Sequence, residues 1–301
     1  MKPHTRRQSQ AEPRHLLVVG MHTQEGMPQI KRILFPVDFS PASSGAARYA
    51  EALAGRFQAE IMLMHIVGPG EHNPPEALIP RRREQLNQFA KGDLRYFSAQ
   101  VECKTGSDPA AAIEDAAKSW GADLIMIPTH GLGVFRRLLL GSVTAKVLHD
   151  AECPVWTSVH AELAPPLENV HCRKVLCAVD LSPRSRSILE WAAWLAKEYG
   201  ADLGIVHAAA PWPPAYYTGE GIFSEAITDE GASLVNALKI DIGIEGEAFV
   251  GAGEPSQIVA GAVKESGADL LVIGRHSGVS QYLGQHAYAI IRNSPCPVIS
   301  I

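Results

Sequence analysis

The chain has 301 residues, 46% of them apolar and 20% charged, and carries a formal net charge of −5. That balance excludes a disordered chain, and the acidic sign argues against nonspecific nucleic-acid or anionic-membrane partners. No run approaches the ~18 apolar residues of a membrane span, and the apolar stretch at 16–19 is too short for a secretory core, so a cytoplasmic location is expected.

Residues 1–28 are polar and rich in Arg, Gln and His. They read as a disordered tail, or as translation from an upstream start with Met27 as the natural beginning. From there short apolar runs alternate with longer helix-period segments. Strands are predicted at 32–37, 60–67, 99–104, 123–127 and 154–159. Ser40-Pro41 opens a helix with an N-cap serine and a proline at the first helical position, and Asp108-Pro109 opens another. Helices are also predicted at 80–97 and 142–149. Near-continuous apolar strands separated by helices describe a parallel sheet covered on both faces, a doubly wound α/β fold.

The second half repeats the first at a lag of about 142 residues, with roughly eleven identities over the first ~36 aligned positions. Asp38-Phe39-Ser40-Pro41 recurs as Asp180-Leu181-Ser182-Pro183, and His65 recurs as His207. Ser182-Pro183 and Glu254-Pro255 repeat the two helix-start signals, the glutamate being the poorer cap. The organisation is therefore two similar domains, 29–160 and 172–301, joined by a linker at 161–171 that contains Pro165-Pro166.

Doubly wound sheets bind ligands beyond the carboxyl ends of their strands, where strand order reverses. Asp38 ends the first strand, and the glycine-punctuated loop 129–141 follows the fourth. Gly141-Ser142 stands at a helix start, where free N–H groups favour an anion, and Arg136 and Arg137 lie in the same loop. The loop reads either as a phosphate cradle or as a turn that merely reverses the chain. Asp38 reads equally as an acceptor for a ribose hydroxyl or an adenine amino group, or as part of a helix cap.

Other constellations carry less. The five cysteines form no CxxC pair, and Cys153 and Cys296, equivalent in the repeat, read as reduced core thiols. The twelve histidines lack metal-site spacing and read as strand-end or loop residues bonded to backbone. Gly251–Ser256 only faintly resembles a dinucleotide fingerprint, no GxxxxGK(S/T) occurs, and no catalytic residue or metal ligand stands out. Trp191 and Trp194, at helical spacing, read as core or interface.

The PVDFS strand end, His65-Ile66, the Gly-Ala-Asp-Leu lead into the fourth strand, Gly131 with nine residues before Gly141-Ser142, and the closing Cys-Pro-Val strand together resemble the universal stress proteins. The resemblance covers nearly the whole chain as a tandem of two domains. It implies five-stranded sheets of order 3-2-1-4-5 and an adenine-nucleotide site: Pro36, Asp38 and Ile66 for the adenosine, and Gly131, Gly141, Ser142 and Val143 for the phosphates of ATP, free or with Mg2+. Pro128 replaces the motif's first glycine and removes a backbone donor. In the second domain Gly274 keeps that glycine, but Ser277 replaces the next. Only six residues separate Ser277 from Gly284, and Gln285 takes the hydroxyl position, so Asp180, Gly274 and Gly284 mark at most a partial site. The resemblance further implies a stress-response sensor with weak hydrolysis at most. The alternative is a nucleotide-free scaffold working through oligomerisation. The fifth strands, apolar edges, are expected to pair as an intramolecular pseudo-dimer, with homodimerisation an open extension.

Overall fold

The structure is a computed structural model and describes residues 28–68, 75–94, 98–129, 140–209, 222–275 and 285–301. In the first domain β1 (Arg32–Pro36), α1 (Pro41–Phe57), β2 (Glu60–Val67), α2 (Pro75–Asp93), β3 (Ala99–Thr105), α3 (Pro109–Trp120), β4 (Leu124–Met126), α4 (Ser142–Asp150) and β5 (Val155–Thr157) follow in order. Two 3-10 turns, Ala161–Leu163 and Leu167–Asn169, form the linker. The second domain repeats the pattern with β6 (Lys174–Ala178), α5 (Ser185–Tyr199), β7 (Asp202–Ala209), α6 (Ile222–Ile242), β8 (Glu247–Ala252), α7 (Pro255–Ser266), β9 (Leu270–Ile273), α8 (Gln285–Asn293) and β10 (Val298–Ser300).

The strands form one ten-stranded sheet of order β3-β2-β1-β4-β5-β10-β9-β6-β7-β8. Each half has the order 3-2-1-4-5, and every pairing is parallel except the central one. There β5 and β10 meet antiparallel, Trp156 opposite Ile299, so each apolar fifth strand covers the other's edge.

Strand alternation splits the core into two layers. Ile33 and Phe35 of β1 belong to the layer that contains residues of α1, α2, α5 and α6, while Leu34 belongs to the layer with α3, α4, α7 and α8. Helix α1 turns an alanine stripe to the sheet (Ala42, Ala46, Ala50, Ala54), and short side chains let it lie close. The first layer continues across the domain boundary. Phe57 of α1 stacks on Trp194 of α5 with ring centroids 5.5 Å apart and meets Tyr199 edge-on at 5.8 Å. Trp191 and Trp194 thus serve the core and the interface.

The linker is clasped to α1. A Cβ on Gly45 would lie 1.7 Å from the Ala161 carbonyl oxygen, so only glycine admits this approach. The Arg48 guanidinium donates to the carbonyls of Ala164 and Pro165. At the sheet's opposite end Asp123 Oδ2 accepts from the amides of Lys31 and Arg32 at 2.7 and 2.9 Å, and Asp269 repeats this with Arg173 and Lys174. The Gly-Ala-Asp segments therefore staple strand starts.

Two expected helix starts move. α2 begins at Pro75, five residues before Pro80, which lies inside the helix; Pro75 supplies an earlier first-position proline. α5 begins at Ser185 with Arg184 as its uncapped flank. The Ser185 amide donates to the Ser182 carbonyl at 2.9 Å rather than to its hydroxyl, and the buried Ser182 Oγ has no hydrogen-bond partner among the described residues.

Candidate nucleotide cleft at the strand ends

Strand β1 pairs with β2 on one side and β4 on the other. The carboxyl end of β1 is therefore the point where strand order reverses. Three chain segments converge there.

The first is the turn 36–43. Val37 N donates to Met64 O at 2.7 Å, and Phe39 takes a left-handed φ of 61° to turn the chain into α1. Asp38 Oδ1 holds that turn, accepting from Ser40 N at 3.0 Å and Ser43 Oγ at 2.6 Å. Ser40 caps α1 by accepting from Ser43 N at 3.2 Å. Asp38 therefore braces the capped turn rather than capping the helix itself, and its Oδ2 takes no hydrogen bond from the described residues.

The second is the end of β2. The His65 ring engages the Val37 carbonyl through Nδ1 at 2.7 Å and packs on Phe39, centroids 4.6 Å apart. His207 repeats the bond with Val179 O at 2.9 Å. Both are backbone-tied strand-end histidines. Ile66 is half-buried and lies over Gly106, its Cγ2 3.3 Å from where a Cβ there would stand.

The third is the loop after β4. Its two ends, Thr129 and Gly141, are stitched by a bond from Gly141 N to Thr129 O of 2.9 Å. Thr129 is anchored in turn through its amide and hydroxyl to Ser158 O, and Thr144 Oγ1 donates to Pro128 O at 3.0 Å. Gly141 has φ −56° and ψ 140°, open to any residue. Its need for glycine is steric, because a Cβ would sit 3.1 Å from Thr129 O. α4 starts without a side-chain cap and its first backbone bond runs from Ala145 to Gly141 O. Ser142 is exposed, and Gly141 and Val143 are half-exposed. An uncapped helix start with exposed amides and a hydroxyl can hold an anion.

Pro36, Asp38, Ile66, Gly141, Ser142 and Val143 thus gather around the carboxyl ends of β1, β2 and β4, while Gly131, His130, Arg136 and Arg137 lie outside the described residues. Sequence reasoning missed Ser43, Thr129 and Thr144, the residues that brace the cleft. The signal for Ser43 was present, since Asp-x-Ser-Pro-x-Ser recurs as Asp180 to Ser185.

The second domain keeps the turn and changes the loop. Asp180 Oδ1 accepts from Ser182 N and Ser185 Oγ, both at 2.9 Å. Burial pushes this carboxyl up, but the Ser182 and Ser185 donations outweigh it and hold it below the usual carboxylate range. Gly274 follows β9, and a Cβ there would meet Ile188 Cδ1 at 2.5 Å. In the first domain the Ile188 position is Ala46 and the Gly274 position is Pro128; the small residue has changed sides, so a proline fits in one domain and not the other. Gly284 and His276 lie outside the described residues.

Fold and strand order together define a tandem doubly wound α/β protein with a switch point in each half. The universal stress protein family model matches residues 29–158 and 171–301, and the chain belongs to that family. A universal stress protein of Mycolicibacterium smegmatis is 28% identical over 222 residues, covering 65% of this chain and 73% of the relative. One from Thermus aquaticus is 35% identical over 132 residues, 42% of this chain and 96% of its own length. Among solved structures, a universal stress protein from Archaeoglobus fulgidus superposes with a TM-score of 0.66 at 22% identity, covering 90% of this chain and 96% of that one, a likeness of fold.

Proposed function

We propose that this chain is a cytoplasmic stress-response protein whose first domain binds an adenine nucleotide, ATP free or as its Mg2+ complex. The observation that carries the reading is the uncapped, exposed start of α4, stitched through Gly141 and Thr129 beside the Asp38 turn. Adenosine lies against Pro36, Asp38 and Ile66, with Asp38 Oδ2 accepting a hydroxyl or amino proton. The phosphates lie on the amides of Ser142 and Val143 and on the Ser142 hydroxyl, with Gly131 and Gly141 allowing close approach.

The function is binding rather than turnover. His65 and Asp38 are tied into the turn as braces, so hydrolysis is weak at most. Occupancy stabilises the loop after β4, and that altered surface is the output. At a hundredfold excess over Kd the linkage is about 2.7 kcal/mol, or ~5–10 °C in Tm for domains of this size.

The test is to denature the purified protein and chromatograph the released small molecules. Adenine nucleotide near one per chain supports the reading. None released, with no thermal shift on added ATP, sinks it and leaves a scaffold that acts through protein contacts; Pro128, lacking an amide proton, is the residue that favours that rival.

A further inference from the structure

The second domain replaces Thr129 by an arginine. Arg275 lies two residues beyond β9, is only 4% exposed, and forms part of the wall of a pouch of about 150 Å³. Its Nη2 donates to Cys153 O of the first domain at 2.8 Å. Its Nε and Nη1 are buried and have no hydrogen-bond partner among the described residues. No ion pair to Arg275 occurs among the described residues, although Asp180 lines the same pouch. A buried guanidinium with two idle donor groups is costly, and a carboxylate or phosphoryl group relieves that cost in a geometry its planar fork matches. Burial, reinforced by the nearby Arg184 and opposed by Cys153, pulls Arg275 down to about 10, so it stays charged at neutral pH.

The rest of the pouch fixes the other half of the ligand. Val179, Ile188, Val206, Val259, Ile273 and Ile290 make its wall apolar. A cavity of ~150 Å³ with such a lining accepts a benzene-sized body and is well below the ~300–1,000 Å³ of a drug-sized site. A whole nucleotide is too large for it.

We propose that this pouch binds a small monocarboxylate with a compact apolar body, the carboxylate on Arg275 and the body among the aliphatic side chains. Asp180, kept ionised by the donations from Ser182 and Ser185, lines the same pouch, and its negative charge favours a ligand carrying one negative charge rather than several. The site is independent of nucleotide binding in the first domain.

Calorimetry and thermal unfolding of the full chain with benzoate, benzamide and AMP test this, each with and without ATP, so that failure of the nucleotide reading leaves the result standing. Benzoate should bind saturably and raise Tm, and benzamide, equal in shape but neutral, should not. Arg275→Lys, which keeps the charge and loses the fork, should weaken benzoate about tenfold or more, the scale of one charge-assisted hydrogen bond. Ala208→Leu, which fills the pouch and leaves Arg275 in place, should abolish binding and covers the case in which Arg275 variants fail to fold. Equal binding of benzamide, no saturable binding, or displacement of benzoate by AMP overturns the proposal. An Arg275→Lys protein that loses stability but keeps full benzoate affinity also overturns it, leaving the arginine as a tie to Cys153.

Discussion

Gly141→Ala separates a cleft that binds phosphate from a loop that only turns. The added Cβ stands 3.1 Å from Thr129 O, so one neighbour must yield by a few tenths of an ångström. That carbonyl also accepts the 2.9 Å bond from Gly141 N, and moving it opens the neck of the loop. The backbone angles suit alanine, and losing a glycine N-cap costs only a few tenths of a kcal/mol. The stability cost is therefore that of a weakened hydrogen bond and slight overpacking, about 1 kcal/mol, or ~2–4 °C in Tm. The binding cost is larger. Displacing the amides of Ser142 and Val143 from a phosphate forfeits one or two charge-assisted bonds, about 1.5–3 kcal/mol, a roughly tenfold to hundredfold loss of ATP affinity. Calorimetric titration with ATP beside a thermal melt reads both. Unchanged ATP affinity with a lowered Tm, or a larger effect from altering Gly284, refutes the assignment of the phosphate site.

Three further outcomes follow from the geometry. Gly45→Val drives a Cβ into the Ala161 carbonyl; by overpacking it should cost about 1–3 kcal/mol, and limited proteolysis should then cut the linker faster. Phe57→Ala removes the stack on Trp194 and the contact to Tyr199; about 3–5 kcal/mol of stability should be lost, and denaturant melts should show the domains separating. Burial pushes the thiols of Cys153 and Cys296 up to about 11 and that of Cys172 to about 12. These folded values lie above the unfolded one, so the stabilising contribution is complete below about pH 8 and is lost as pH rises toward 11. A thiol reagent at pH 8 should meet thiolate fractions of about one in a thousand or less at these positions, and a fast native reaction would contradict their burial.

Much of this was legible because the chain presents each domain twice. The strand boundaries moved by a residue or two, and the antiparallel join of β5 to β10 was foreshadowed by two apolar edges that needed cover. Less legible were features set by distance rather than pattern. Ser182 repeats the Ser40-Pro41 signal, yet its hydroxyl caps nothing because a backbone bond from Ser185 closes that turn first. Pro80 read as a helix start, yet Pro75 five residues earlier opens the helix, ahead of Ala77, Leu78 and Ile79. Arg275 carried no signal in the sequence; only the fold shows that its side chain reaches Cys153 of the first domain.

The two domains then differ by a small set of exchanges around one position. Where the first has Ala46, Pro128 and Thr129, the second has Ile188, Gly274 and Arg275. Ile188 reaches over the strand end, so Gly274 must stay bare; this side chain lines the second pouch and helps reduce it to about 150 Å³. Thr129 anchors its loop neck within its own domain through Ser158, whereas Arg275 sends its side chain across the join to the other. The two proposed sites therefore differ: one is framed by the exposed, uncapped start of α4, the other by the buried Arg275 beside aliphatic side chains. A double exchange tests whether these residues carry the difference. Ile188→Ala with Gly274→Pro should enlarge the second pouch without a net steric penalty, while Gly274→Pro alone should collide with Ile188 and destabilise by about 1–3 kcal/mol. Strict additivity of the two substitutions in thermal melts would show that the side chains do not share that space.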